Sequence, residues 1–433
     1  MKKSFRSMLV LAVSLFVSSS LMAKGIFLPP GAKANNMGAA FVAVANDPTA
    51  IYWNPAGLAY VESKSVEVSA LYLKANASAD QAPTSAASPN MYAGNFPLPS
   101  AYPNEPQFTN KNFETSATVP FVAGVTKTSC DMAIAIGYYG AGGGGGKWSD
   151  APTDGVATLS ASLDALITYT VMNVSFAKEL SPGLAVGLGV DMIAMTEKET
   201  LNRDYTSLTV ATNYGIETDK NSTGSGIQIV GGILYAIKEN LKTGLVVRSG
   251  TDIKLSGDAD YTSTGVVGTA IFTTPYEQTY NYPLTYGIGL AYDPKDNITI
   301  GVAMEHSNYA AMKQKITYTM PLPAAGFSDA DADMNWKDMT QYRVGAQYRA
   351  NENWSLYLGA QNEPPAFDQT NLTLFNINQY DLIALNLGAG YTKDSWVCNF
   401  SYAYIVSDQP KAAGITYEYP LGIFRLDIGY RFL

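Results

Sequence analysis

The sequence predicts an all-β protein, a transmembrane antiparallel β-barrel of about 14 strands with an N-terminal hatch (a plug) inside its lumen. Three observations support this: an export signal, a segment rich in chain-breaking residues before the first strand, and apolar-polar alternation along the rest of the chain. Successive side chains of a strand face opposite sides, so such strands can contact lipid on one face and a polar lumen on the other. The composition agrees, with 47% hydrophobic residues, 15% charged residues and 29 tyrosines available for membrane-interface girdles.

The chain begins with the features of a secretory signal peptide. Three cations come before an apolar stretch at 8–17 and a run of mostly small residues at 18–23. We expect cleavage after Ala23. The predicted organisation is a signal peptide at 1–23, a hatch at 24–63 and a barrel at 64–433.

Charge excludes one class of partner. Removal of the signal's three cations leaves 25 Lys+Arg (28 − 3) against 37 Asp+Glu, a net charge of about −12. Nucleic-acid binding needs basic surfaces that neutralise phosphates. We therefore expect no nucleic-acid partner.

The segment ahead of the first strand predicts a folded plug. Four prolines interrupt it, which disfavours long helices or strands. It is nevertheless too apolar for a simple solvated tail, and a place inside the lumen would bury its large side chains. These side chains are Ile26, Phe27, Leu28, Phe41, Ile51, Tyr52 and Trp53.

Alternation is clearest in the last predicted strand. Phe424, Leu426, Ile428 and Tyr430 interleave with polar or small residues, and similar patterns occur at 341–349 and 383–392. Short turns and long connections alternate along the chain, as in outer-membrane barrels. The predicted strands are 64–73, 115–127, 131–140, 163–178, 184–198, 224–238, 242–256, 278–292, 297–317, 338–350, 353–362, 381–393, 395–406 and 418–432.

Several segments together resemble one family. The stretch Asp47-Pro-Thr-Ala-Ile-Tyr-Trp-Asn-Pro-Ala-Gly57, with Gly25-Ile-Phe-Leu28 and Met37-Gly-Ala-Ala40 before it, is similar to the hatch of FadL-type (OmpP1/FadL/TodX) channels. Segments 336–348, 354–359 and 381–404 resemble the last barrel strands of that family. Its members admit long-chain fatty acids and other hydrophobic compounds through the outer membrane.

The resemblance implies a passive route for hydrophobic small molecules, most of all long-chain fatty acids. Outer loops capture the ligand, an interior apolar site near the hatch N-terminus holds it, and it leaves sideways where the third strand kinks inward. Carried onto this sequence, the site includes Gly25, Ile26 and Phe27 at the interior, Asn54, Pro55 and Ala56 against the kink, and Gly140 and Gly142 in the kink itself.

The same resemblance implies the surroundings of the protein. We expect a monomer in the outer membrane of a Gram-negative bacterium, in contact with lipopolysaccharide and outer-membrane lipid. The apolar alternation of the final strand is typical of a substrate of the barrel assembly machinery. The sequence leaves open whether the ligand is a fatty acid, an alkane or an aromatic. It also leaves open a general diffusion porin and a surface adhesin or structural barrel, although a porin needs no plug of about 40 residues.

Other candidate sites are weak, and we expect no cofactor, no bound metal and no enzymatic activity. His306 is the only possible base for a Ser-His-Asp arrangement, and no Gly-x-Ser-x-Gly elbow accompanies it. The glycine run before Lys147 lacks the phosphate-loop pattern. The aspartates at 329, 331 and 333 have calcium-loop spacing without its glycine. Cys130 and Cys398 are expected to be isolated thiols.

Overall fold

The computed structural model describes residues 29–62, 64–81, 111–150, 157–207, 213–265, 268–322, 327–333, 336–364, 382–407, 411–412, 415–417 and 422–432. They form a closed antiparallel barrel of 14 strands, as predicted. The strand segments are β1 (Ser65–Gln81), β2 (Lys111–Lys127), β3 (Ala133–Asp150), β4 (Ala157–Ser181), β5 (Leu184–Ser207), β6 (Asn213–Lys238), β7 (Leu241–Arg248), β8 (Thr251–Gly265), β9 (Gly268–Tyr282), β10 (Thr285–Lys295), β11 (Ile298–Ser307), β12 (Lys313–Tyr318), β13 (Ala330–Asp333), β14 (Met339–Arg349), β15 (Trp354–Glu363), β16 (Leu382–Lys393), β17 (Trp396–Ser407), β18 (Lys411–Ala412), β19 (Ile415–Tyr417) and β20 (Gly422–Arg431).

The barrel closes between its first and last strands. β1 pairs with β20 from Ser65–Arg431 to Lys74–Gly422. Four barrel strands are each built from two segments: β7 with β8, β9 with β10, β11 with β12, and β13 with β14. The second break falls at Pro283, which has no N–H to donate to a ladder.

Two expectations about strand bounds were wrong. The ninth strand was predicted as one run at 297–317, but β11 ends at Ser307 and a 3₁₀ turn (Tyr309–Ala311) separates it from β12, which pairs with β9. The long connections predicted at 141–162, 199–223 and 257–277 are largely strand. β4, β5 and β6 run for 25, 24 and 26 residues, well beyond the ~9–11 residues that cross a bilayer.

The outer face of the wall is the lipid face that the alternation predicted. Aliphatic side chains such as Leu387 and Leu426 are about half exposed there, between two levels of exposed aromatic residues. One level includes Tyr348, Trp354 and Trp396, near the short turns; the other includes Tyr72, Tyr286, Tyr342, Tyr404 and Phe424. Such girdles mark the two membrane interfaces.

The N-terminal segment lies inside the barrel and is largely buried. It contains α1 (Ala32–Asn36), α2 (Ala50–Trp53) and a 3₁₀ helix (Pro55–Tyr60). Pro55 begins the 3₁₀ helix, and the Asn54 side chain caps it by accepting from the Ala56 N–H at 3.1 Å. Within the described part of the chain, no helix is long and apolar enough to cross a membrane.

Candidate functional site

The hatch sits directly against backbone of the wall. A Cβ added at Gly359 would lie 2.0 Å from the Gly38 nitrogen, and one at Gly187 would lie 2.3 Å from the Ala56 nitrogen, so neither position has room for a side chain. We call the glycines with such hatch contacts the wall glycines. They are Gly137, Gly187, Gly232, Gly244, Gly289, Gly301, Gly345, Gly359 and Gly388. They occur on nine of the barrel strands, between β3 and β16, which fixes the hatch in the lumen.

Hydrogen bonds tie the hatch to the end of the chain. The Ala32 and Lys33 amides donate to Asp427 Oδ2 at 2.5 and 3.3 Å, and Asn36 Nδ2 donates to the Phe400 carbonyl at 2.8 Å. Asp427 therefore satisfies amide groups at the start of α1 that have no partner within the helix. β17 and β20 thus hold one side of the hatch.

Asn54 lies elsewhere than the sequence predicted. Its Nδ2 donates to the Val42 carbonyl at 2.9 Å and to the Ile233 carbonyl of β6 at 3.1 Å. The expected partner was backbone at the break in the third strand. The difference follows from the 3₁₀ helix, which packs on β4, β5 and β6 and carries Asn54, Pro55 and Ala56 to that part of the wall.

Ile51 and Tyr52 contact the third strand instead. A Cβ at Gly137 would meet Ile51 Cδ1 at 2.2 Å, and the Tyr52 ring lies edge-on to Tyr139 with centroids 5.7 Å apart. Burial, with a smaller effect from Glu305, raises the pKa of Tyr52 to about 12, so its hydroxyl stays protonated at neutral pH.

The ladder between β2 and β3 is incomplete. It runs from Lys127–Ala133 to Phe121–Tyr139, whereas β2 continues to pair with β1 as far as Lys111–Ala79. Beyond Tyr139, β3 pairs only with β4 among the described pairings, as far as Asp150–Ala161. We call this unpaired boundary between β2 and β3 the seam. It begins three residues from the level of the exposed Tyr72, within the membrane band.

A bulge and a proline lie where the seam begins. The register of β3 against β4 shifts between Gly140 and Gly142, so that Ala141 is an extra residue there. On the other side, Pro120 has no N–H to donate. The register shift is confined to the start of the glycine run, because Gly142–Gly146 stay paired with β4.

A small chamber of about 80 Å³ lies beside the bulge. Pro29 and Tyr52 of the hatch line it, together with Tyr139 and Ala141 of β3. The rest of its lining includes two arginines, three carboxylates and three further tyrosines: Arg248, Arg343, Asp191, Glu305, Glu363, Tyr169, Tyr282 and Tyr309. A separate cavity of about 800 Å³ lies at the short-turn end of the barrel, lined by hatch residues 43–48 and 59–62.

Two ion pairs organise the chamber wall. Arg248 Nη1 pairs with Asp191, which also accepts from the Tyr139 hydroxyl at 3.1 Å and from Asn173 Nδ2 at 2.7 Å. Arg343 binds both oxygens of Glu305 at 3.2 Å. Sequence reasoning missed these residues, although Asp191 stands as an isolated charge in an apolar strand, a signal of function in membrane segments.

Other candidate sites are accounted for or lie outside the described residues. Gly25, Ile26 and Phe27 are outside them. His306 Nδ1 lies 2.8 Å from Thr340 Oγ1, and its ring packs against Tyr286. Asp329 accepts from the Tyr318 amide at 2.7 Å on a short hairpin, and the described residues contain no metal-ligand cluster. Cys130 and Cys398 are free thiols, as predicted.

The sequence matches a family model over 14–417, described as outer membrane protein transport protein (OMPP1/FadL/TodX). This chain belongs to that family. It is therefore a β-barrel of the Gram-negative outer membrane, and its family is one of hydrophobic-compound transport channels. A comparison of the sequence with curated proteins found no match.

Solved family members share the fold at low sequence identity. A Pseudomonas aeruginosa FadL homologue is 13% identical with a TM-score of 0.68, covering 94% of this chain and 100% of its own. The P. putida toluene transporter TodX is 12% identical with a TM-score of 0.68, covering 94% and 99%. The monoaromatic hydrocarbon channel CymD is 16% identical with a TM-score of 0.62, covering 94% and 99%.

Proposed function

We propose that this family member admits hydrophobic small molecules passively and releases them sideways into the outer membrane through the seam. The observation that carries the proposal is the position of the chamber. Tyr139, in the last β2–β3 pair, and Ala141, in the bulge, both line it. A ligand in the chamber is therefore next to a boundary in the described wall where neighbouring strands part within the membrane band.

Energetics favour such a route. An apolar ligand gains roughly 0.8 kcal/mol for each CH₂ removed from water, so a path from chamber to bilayer keeps that gain throughout. The hatch opposes the axial alternative, because the wall glycines bring it into close contact with the strands between β3 and β16, and hydrogen bonds hold it on β17 and β20. This arrangement favours a plugged transporter over a general diffusion porin or an adhesin.

The residues carried over from the family keep these roles as proposals. Pro29 of the hatch lines the chamber. For Gly25, Ile26 and Phe27, which are outside the described residues, the role in an interior ligand site rests on the family resemblance alone. Gly140 and Gly142 flank the bulge and would form the exit. Asn54, Pro55 and Ala56 would act indirectly, by fixing the hatch on β4, β5 and β6.

The first proposed class of cargo is long-chain fatty acids, as the family resemblance implies. Aromatic hydrocarbons are the second class, favoured by the five tyrosines that line the chamber. Capture would take place at the outer end, where Ile271 of β9 is 74% exposed. We also propose that the protein is a monomer, contacts lipopolysaccharide and is inserted by the barrel assembly machinery.

A reversible cross-link tests the lateral exit. A Cβ at Gly140 would lie 3.8 Å from Val119 Cβ on the other side of the seam, a separation suited to a disulfide. The double variant V119C/G140C is made in a background with Cys130→Ser and Cys398→Ser. Oxidation should stop uptake of radiolabelled oleate and toluene while purified barrels still bind both, and reduction should restore uptake.

The controls are the two single cysteine variants, which should transport in both redox states. Unchanged uptake by the fully oxidised double variant would rule out exit through the seam. Steady large single-channel conductance of the unmodified protein would instead favour the porin.

A further inference from the structure

Neither arginine of the chamber is available to a ligand carboxylate. Besides its ion pair with Asp191, Arg248 donates from Nη2 to the Tyr52 carbonyl at 2.9 Å, and its guanidinium lies 5.2 Å from the centre of the Tyr52 ring. The Asp191 side chain is only 1% exposed. A ligand anion would have to displace a buried carboxylate that also holds Tyr139 and Asn173.

Arg343 is occupied in the same way. Its two terminal nitrogens bind the two oxygens of Glu305, and Nη2 also donates to Gln341 Oε1 at 2.7 Å. The guanidinium lies 5.6 Å from the centre of the Trp53 ring, which covers one face. Two-pronged binding of a carboxylate is the contact an arginine would offer to an acidic ligand, and Glu305 already makes it.

The chamber offers no spare positive charge. Its lining holds two arginines, Arg248 and Arg343, each paired with a carboxylate, and no lysine or histidine is among the lining residues. Charges interact strongly in a low-dielectric interior, so an anion that enters here would be desolvated without gaining a free cation.

Shape and surface chemistry favour a single ring. Tyr169 and Tyr282 stack with centroids 5.2 Å apart, and Tyr52 and Tyr139 meet edge to face. The volume of about 80 Å³ is smaller than the ~150 Å³ cavity that holds benzene in another protein, so the chamber takes one ring at most, and only after its lining side chains adjust. The Glu363 carboxylate is an acceptor for a hydroxyl group on that ring.

We propose that the chamber is a charge-selective site for uncharged, hydroxyl-bearing aromatic molecules, and that Glu305 and Asp191 set this selectivity by occupying Arg343 and Arg248. This inference rests on the proposed function and narrows its cargo. Phenols then bind better than ring compounds that carry a carboxylate. Long-chain fatty acids also carry a carboxylate, so they become a poorer cargo than phenols.

The test compares three ligands of one ring size. Equilibrium dialysis of the purified full-length barrel in detergent, at neutral pH, measures binding of radiolabelled phenol, toluene and benzoate. The wild type should prefer phenol to benzoate by at least about tenfold, equivalent to ~1.4 kcal/mol. Glu305→Gln releases Arg343 from its ion pair and should raise benzoate affinity about tenfold, with phenol binding unchanged.

Glu352→Gln is the matched control, because it removes the same charge from an exposed turn outside the chamber. It should leave all three affinities unchanged. Because the effect of Glu305→Gln is a gain of binding, misfolding cannot imitate it. Equal wild-type affinity for phenol and benzoate, or no gain in Glu305→Gln, would overturn charge selection while toluene binding left the proposed function standing. Absence of binding by all three ligands would overturn the interior site and this inference together.

Discussion

The two neighbours of β2 differ in how far they stay paired with it. β1 follows β2 from Val125 out to Lys111, whereas β3 leaves it after Phe121. Backbone without a partner is costly in lipid unless it lines a cavity or is covered by protein. The seam meets this requirement in three ways: the chamber lies behind it, Val119 packs over Gly140, and β3 keeps its ladder with β4. A barrel can therefore have one incomplete ladder in its wall and still be closed by the pairing of its first and last strands.

The hatch shows the same contrast. On β17 and β20 it is fixed by hydrogen bonds from Ala32 and Asn36, and at the wall glycines outside β3 by close contact. Towards the seam it offers side chains, Ile51 and Tyr52, rather than backbone hydrogen bonds. Side chains can change rotamer without unfolding the plug, so mobility during transport is expected on this side.

The largest effect is expected from crowding the fixed side. Gly359→Val would place atoms inside the backbone at Met37 and Gly38, and overpacking of this kind costs ~1–3 kcal/mol or more. The hatch should be displaced from its position against the wall, and single-channel conductance in planar bilayers should rise as the lumen opens. Gly231→Val is the control, since a Cβ there meets no atom within 4 Å. Equal conductance of the two variants would show that the wall glycines do not hold the hatch.

A smaller effect is expected from Asn54→Ala. The change removes the hydrogen bonds to Val42 and Ile233 and the cap on Ala56, which should destabilise the seated hatch by about 1–3 kcal/mol. Amide hydrogen exchange of residues 50–60 should accelerate accordingly. Asn54 contacts β6 and not the seam, so uptake should fall less than in the oxidised V119C/G140C variant. Complete loss of uptake with normal exchange would instead place Asn54 in the exit.

Tyr139→Phe tests the last pair before the seam. It deletes the hydroxyl that donates to Asp191 and should lower the free energy of unfolding by about 1 kcal/mol, measured by urea denaturation in detergent. Tyr138→Phe is the adjacent control, because Tyr138 is 43% exposed on the lipid face. Similar destabilisation by both changes would argue against a specific role for the Tyr139–Asp191 contact.

The smallest effect is expected at His306. His306→Gln keeps a polar group near Thr340 and should change the free energy of unfolding by no more than about 0.5 kcal/mol, with uptake unchanged. Urea denaturation in detergent measures the free energy of unfolding, and an oleate uptake assay measures transport. Loss of uptake in a well-folded variant would mean that the only histidine has a role beyond structure.

Local patterns predicted much of this molecule, because they report which face of a strand contacts lipid. Leu426 and Ile428 are exposed, while Arg425 and Asp427, which alternate with them, are buried, as the period-two pattern of β20 indicated. The apolar residues of 24–63 likewise predicted a buried plug. The interruption between β11 and β12 has no comparable signal, since it depends on β12 pairing with β9.

The chamber was beyond sequence reasoning for a different reason. Arg248 and Asp191 are 57 residues apart, and their pairing depends on the positions of β5 and β7 around the lumen. The hydrogen-bond partner of Asn54 in the wall depends likewise on which strands the 3₁₀ helix packs against. A motif can identify such residues as candidates, but only the assembled barrel decides which of them meet.

The contact between Ala32 and Asp427 has a consequence for biogenesis. These residues are 395 positions apart, and Asp427 lies on the strand that completes the barrel. The plug therefore cannot reach its final seat until almost the whole polypeptide has been delivered and the first and last strands have met. Docking of the earliest-synthesised folded element becomes one of the last events of maturation, so a stalled assembly intermediate should carry a protease-sensitive N-terminal segment.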